Sequence, residues 1–121
     1  MNTTKIKNFT DLNAWREAYK LVLSVYKITK KFPKEELYVL ISQLRRCAVS
    51  VCSNIAEGFG RSSNKEKIQF YYLSHGSLTE LQNQMIIARG IGYLSKSDLD
   101  MVIAQTTIVQ KLINGLIRKL K

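Results

Sequence analysis

The side chains best suited to chemistry fall into two groups, a polar run in the middle of the chain and a surplus of cations. The polar run comprises Gln43, Arg45, Arg46, Ser50, Asn54, Glu57 and Arg61, the last three flanking Gly58. These types bind anions or pair with one another rather than break bonds. Asn54, Glu57 and Arg61 lie near a turn, where they can hold an anion or meet a neighbouring subunit. The simpler expectation is that Glu57 pairs with Arg61 while Asn54 satisfies turn backbone, because helix ends leave backbone groups without partners. Arg45 and Arg46 suit interface ion pairs or forked contacts to phosphate, with Glu36 or Glu80 as the expected acidic partner. The cations are Arg16, Lys20, Lys27, Lys30, Lys31 and Lys34 near the beginning, and Lys111, Arg118, Lys119 and Lys121 at the end. They can track a phosphate backbone. Residues 1–34 hold eight basic and two acidic side chains, so pairing within that segment is not expected to cancel the charge.

Catalytic constellations are absent from the pattern. The nine acids are scattered, whereas a metal-dependent nuclease needs them clustered. His75 is the only histidine and stands at an apolar position, which predicts a hydrogen-bonded core residue, not a metal ligand. Gly58-Phe59-Gly60 lacks the strand and lysine of a phosphate-cradling loop. Cys47 and Cys52 are five apart, about 140° around a helix, so they are expected as separate, reduced, buried thiols. No metal, cofactor or catalytic residue is expected.

The elements that position these groups are read from punctuation and period. The chain has 121 residues, 45% hydrophobic, with one proline and six glycines, which favours a single domain of long helices. The first segment starts near Thr10 as N-cap and runs to about Lys31, where Phe32-Pro33 stops it. Its expected inner face is Trp15, Ala18, Tyr19, Val22, Val25, Tyr26 and Thr29. The second begins at Pro33 to Glu35 and carries a seam of Leu37, Leu40, Ile41, Leu44, Cys47, Ala48, Val51, Cys52, Ile55 and Phe59, ended by Gly58 and Gly60. The third opens on a capping box of Ser63 and Glu66, and faces inward with Ile68, Tyr71, Tyr72, His75, Leu78, Leu81, Gln82 and Met85. Gly90 and Gly92 end it. The fourth starts after Ser95 or Ser97, and its seam is Leu99, Val102, Ile103, Thr106, Val109, Ile113, Leu116, Ile117 and Leu120. Four helices of similar length, each about 30–35 Å, joined by short turns predict an all-α, antiparallel up-down-up-down four-helix bundle. Phe70, Tyr71, Tyr72 and Trp15 are expected in the core or at subunit contacts, not as base-stacking groups.

The run Gln43-Leu44-Arg45-Arg46-Cys47-Ala48-Val49-Ser50, then Ser53-Asn54-Ile55-Ala56-Glu57-Gly58 and Gly60-Arg61, resembles the small four-helix bundle family encoded in intervening sequences of 23S ribosomal RNA genes. Phe9-x-x-Leu12-x-x-Trp15, Phe32-Pro33-x-x-Glu36 and Gly76-Ser77-x-x-Glu80 agree with it, so the match runs in order over nearly the whole chain. The resemblance implies a bundle that assembles as a ring, often a pentamer. The family is also similar to the accessory protein of diversity-generating retroelements, a basic pentameric bundle that binds a reverse transcriptase and nucleic acid. It implies no established biochemical activity.

A formal net charge of +10 favours polyanionic partners. The expectation is therefore a non-enzymatic homo-oligomer, pentamer favoured, that binds RNA or DNA phosphates through its basic helix faces. The alternative is a protein-interaction adaptor for an acidic partner or a reverse transcriptase. Residues Tyr38, Phe59, Phe70 and Tyr72 are more aromatic surface than one bundle interior can take, and are expected at subunit contacts. No stretch approaches the ~18 apolar residues of a membrane span. The segment Met1 to Phe9 lacks the apolar core of a signal peptide, which places the protein in the cytoplasm.

Overall fold

Four α-helices, with one short turn ahead of the first and two between the first and second, make up the computed structural model, which describes residues 5–121; residues 1–4, the start of the segment read as lacking a leader, lie outside the described residues. The helices are α1 (Asn13–Thr29), α2 (Ser42–Phe59), α3 (Asn64–Ile91) and α4 (Lys96–Leu120), and no strand occurs among the described residues. α1 packs on α2 and α4, and α3 packs on α2 and α4. The core between them includes Leu21, Val25, Leu44, Val51, Ile55, Leu78, Leu81, Met85, Val102, Val109 and Ile113, all essentially without solvent contact.

The first helix begins differently from the sequence expectation. Thr10 is not its cap. Asn8 caps a 3-10 turn over Phe9–Asp11, its side-chain oxygen accepting from the Thr10 amide at 2.9 Å, and α1 starts only at Asn13. Asp11 closes that turn by accepting from the amides of Lys7 (2.8 Å) and Asn8 (3.1 Å). Those bonds, with the nearby Arg16 and Lys7 charges, hold its carboxyl below the ordinary value of 3.8. A lowered pKa means the turn gains stability while Asp11 is ionised and loses it as pH falls through and below that value. Amide resonances of Lys7 and Asn8 are expected to hold constant from neutral pH to about pH 5 and to move together only below the ordinary carboxylate range. Movement centred near neutrality would disprove the cap.

The inner face of α1 is rotated from the predicted one. Ala14, Ala18, Leu21, Val25, Ile28 and Thr29 are buried, Trp15 and Val22 are partly buried, and Tyr19 and Tyr26 are exposed. The seam of α2 holds from Ile41 onward, but the segment ahead of it is not one continuous α-helix. Lys34–Glu36 form a 3-10 turn and Leu37–Ile41 a π-turn, and Leu37 is 44% exposed. Gly58 does not end α2. It lies inside the helix, buried against α3, and the helix runs to Phe59 with Gly60 as its cap. A Cβ at position 58 would sit 2.7 Å from Tyr71 Cε1 and 3.0 Å from Phe70 Cβ, so this position is glycine because a ring packs on its backbone.

α3 begins as expected at Ser63, whose hydroxyl accepts from the Glu66 amide and donates to the Glu66 carboxylate, both at 3.1 Å. It ends at Gly92, whose φ of 101° requires glycine. Its buried face is Tyr71, Ser74, Leu78, Leu81, Met85 and Ala88, with Tyr72 turned out to solvent. Ser95 caps α4, accepting from the Asp98 amide at 3.1 Å. Val102, Thr106, Val109, Ile113 and Ile117 are its buried line. The helices are not of similar length: α1 and α2 have 17 and 18 residues, α3 and α4 have 28 and 25. At 1.5 Å per residue the first pair reaches about 26 Å and the second about 40 Å, because the chain breaks the first two segments into turns before their α-helices begin.

Candidate nucleic-acid interface

The outward face of α1 carries Arg16, Lys20 and Lys27, and Lys30 and Lys31 follow in the turn that ends it, all exposed. At about 100° per residue the three on α1 share roughly 40° of arc, opposite the buried line of Leu21 and Val25. Charge is partly cancelled there, contrary to the sequence expectation. Lys20 pairs with Glu17 at 3.0 Å, Lys31 with Asp98 at 3.6 Å across to α4, and Arg16 approaches Asp11 at 3.9 Å while its Nε donates to the Thr10 carbonyl at 2.9 Å. Those exposed pairs hold little energy and do not fix the lysines in place. Lys27, Lys30 and Lys34 have no carboxylate partner among the described residues.

Lys111, Arg118, Lys119 and Lys121 are exposed on α4 and its end, again without carboxylate partners among the described residues. A shallow groove of about 290 Å³ has Asp11, Leu12 and Ala14 on one side and Leu112, Leu116 and Lys119 on the other, so the end of α4 lies beside the start of α1. The two cationic segments thus occupy neighbouring helices. Lys121 turns aside instead, its ammonium 5.8 Å from the centre of the Tyr72 ring on α3.

The polar run on α2 divides between several jobs. Glu57 and Arg61 pair at 2.9 Å, as expected, and the Arg61 guanidinium lies 4.4 Å over the Phe70 ring. Asn54 does not satisfy turn backbone. Its amide nitrogen donates to the Ser50 carbonyl (2.9 Å) and Ser50 hydroxyl (3.0 Å), and that hydroxyl meets Ser77 of α3 at 2.8 Å. Nor do the arginines meet the expected acids. Arg45 Nε donates to Thr29 Oγ1 at 2.9 Å and its guanidinium lies 4.5 Å over the Tyr26 ring. Arg46 is exposed and has no carboxylate partner among the described residues, while Gln43 is exposed at the start of α2. Glu36 instead accepts from the Tyr93 hydroxyl at 2.8 Å, and Glu80 from the Cys47 thiol at 3.2 Å. The partners Thr29, Ser77 and Tyr93 lie sixteen, twenty-seven and fifty-seven residues away. No local pattern signals them.

Among the aromatics, Tyr71 is core and Phe59 packs against the core, whereas Tyr72 is half exposed and Tyr38 is 89% exposed. His75 is not in the core. It is half-buried on the α3–α4 seam, 2.6 Å from Asn114 Oδ1. Cys47 and Cys52 are free and buried. Burial, then the Glu80 carboxylate, pushes the Cys47 thiol up to about 12, and burial alone pushes Cys52 up to about 11. Alkylation needs the thiolate, so at pH 8 the folded protein is expected to react with iodoacetamide about a hundredfold or more slowly than its urea-unfolded form. Equal rates in the two states would refute the buried placement.

A family model described as 23S rRNA-intervening sequence protein matches residues 10–115. The chain belongs to that family. The matched span covers all of α1, α2 and α3 and most of α4. The α1 cations and the polar run of α2 therefore lie within the family region, while Arg118, Lys119 and Lys121 lie beyond it. No curated protein matches the sequence. None of the helices among the described residues is long and apolar enough to cross a membrane.

Proposed function

We propose that this chain is a non-enzymatic, single-domain, homo-oligomeric bundle that binds RNA or DNA phosphates through the outer faces of α1 and α4. The observation that carries the reading is the set of exposed cations with no carboxylate partner among the described residues: Lys27, Lys30, Lys34, Lys111, Arg118 and Lys119. Cations left free on neighbouring helices suit a polyanion better than self-neutralisation, and contacts to phosphate give shape-dependent binding without base readout. An antiparallel up-down-up-down course is the topology we infer. It is supported by Lys31 meeting Asp98 at one end and Leu12 lying beside Leu116 at the other.

Assembly is assigned to the outer face of α3. Tyr72, Leu73, Ile87 and Ile91 are exposed there, and Gly76 has open space where a Cβ would go. A helix with apolar residues outside as well as inside is normally covered by another surface. Of the four residues expected at subunit contacts, Tyr72 fits this face, Phe59 serves its own core, and Phe70 lies under Arg61. A ring brings the cationic faces of several copies together and multiplies weak phosphate contacts. We place the protein in the cytoplasm and assign it no catalytic role. Its thiols are buried and held protonated, and His75 is engaged with Asn114.

Light scattering with a mixed-sequence RNA over a salt series tests the reading. The expected result is a ring-sized oligomer whose RNA affinity falls steeply and log-linearly with salt. A monomer at micromolar concentration refutes the assembly, and binding indifferent to salt refutes the phosphate contact.

A further inference from the structure

A second surface has a different composition from the cationic faces. Where α1 ends and α2 begins, Tyr26, Leu37, Tyr38, Ile41 and Val49 line a groove of about 450 Å³ that contains Arg45 and Arg46. It continues past Leu37, Ile41 and Arg45 into a second hollow of about 320 Å³ edged by Lys30 and Lys34. Five large apolar side chains are exposed around this junction: Tyr26, Leu37, Tyr38, Val39 and Val49. No carboxylate among the described residues lines either hollow. An apolar patch with a rim of one charge sign is the pattern of a recognition surface.

Arg45 is the decisive group. It is half-buried, held by the Thr29 hydroxyl and the Tyr26 ring, and has no carboxylate partner among the described residues. Its Nε is occupied, which leaves the terminal nitrogens of a fixed, planar fork on the groove wall. Such a fork is organised in advance for a bidentate anion.

We infer that this groove binds an acidic amphipathic segment of a partner protein, with aliphatic or aromatic side chains on Leu37, Ile41 and Val49 and a carboxylate on Arg45 or Arg46. A nucleic-acid strand fits less well. The floor is largely aliphatic, and the Tyr26 face is already taken by Arg45, which leaves Tyr38 alone for stacking. A second copy of this chain fits less well too. Eight of its nine acidic side chains already bind within the chain. The ninth, Glu35, stands in the turn beside Lys34 at the groove's own edge.

The test is selection from a displayed library of random dodecapeptides on the full protein, with light scattering and RNA binding measured in parallel. The expected result is enrichment of peptides that combine spaced apolar residues with Asp or Glu. Their affinity should fall about tenfold for Arg45→Gln and for Val49→Asp, each checked for an unchanged helical signal, and as much when the peptide acid is replaced by its amide. RNA affinity of Arg45→Gln should match the wild type, which separates this groove from the α1 and α4 faces. Three results overturn the inference: no acidic consensus emerges, the variants lose RNA as strongly as peptide, or they break the oligomer apart, which would make the groove a subunit contact.

Discussion

Gly58→Val is expected to destabilise the protein by about 3 kcal/mol, the largest single-site effect in α2 that removes no contact at all. The position lies under Tyr71, and even a Cβ there would fall 2.7 Å from a ring carbon that is itself buried in the core. Neither side can give way cheaply, because Tyr71 is buried and Phe70 Cβ, 3.0 Å from the same point, is fixed to the α3 backbone. Thermal unfolding should shift down by roughly 10 °C. Gly90→Ala supplies the contrast. That glycine is also helical, but no atom outside its own stretch of helix backbone lies within 4 Å of the added methyl, so the substitution should stabilise by about 0.5–1 kcal/mol through helix propensity alone. A Gly58→Val protein that melts with the wild type would show that α2 and α3 do not pack this closely.

The second large effect concerns binding. Replacing Lys27, Lys111 and Arg118 together by glutamine is expected to weaken RNA binding about a hundredfold near 0.1 M salt and to flatten the log–log salt slope by about 2. All three side chains are exposed and lack carboxylate partners among the described residues, so each is free to displace a counter-ion from phosphate. Lys65→Gln with Arg61→Gln serves as the control. Arg61 already pairs with Glu57 at 2.9 Å, and neither residue lies on α1 or α4. The control should leave the slope unchanged. If the two variants lose slope in proportion to the charge removed, binding follows net charge and the assignment to α1 and α4 fails.

The helices themselves were legible wherever apolar period and caps agreed, as at Ser63, Ser95 and the seam from Ile41 to Ile55. The face of α1 was not, because two apolar stripes run along it. Trp15-Tyr19-Val22-Tyr26 and Ala18-Leu21-Val25-Ile28 both keep helical spacing, and only packing shows that the smaller, aliphatic stripe fills the core while the aromatic one lies on the flank. In α3 the apolar residues surround the axis, so period alone cannot choose a side, and Tyr72, which the spacing puts on the inward line and the surplus of aromatics at a subunit contact, faces out. The cationic stripe was readable from spacing. Its partial neutralisation was not, since Lys31 finds Asp98 on another helix. Arg45 was singled out by its motif, but its orientation by Thr29 and Tyr26 depends on how α1 crosses α2, which no short spacing encodes.

The π-turn at Leu37–Ile41 acts as a phase shifter. A π-turn holds about one residue more than an α-turn, so side chains upstream of it are displaced around the axis by roughly one residue's rotation relative to those downstream. Leu37 is seven residues ahead of Leu44, a separation that in an unbroken α-helix would put both on the core line. Leu44 is fully buried and Leu37 is not. One added residue of winding thus moves a core position onto the surface, and the apolar floor between α1 and α2 owes its existence to that slip of register.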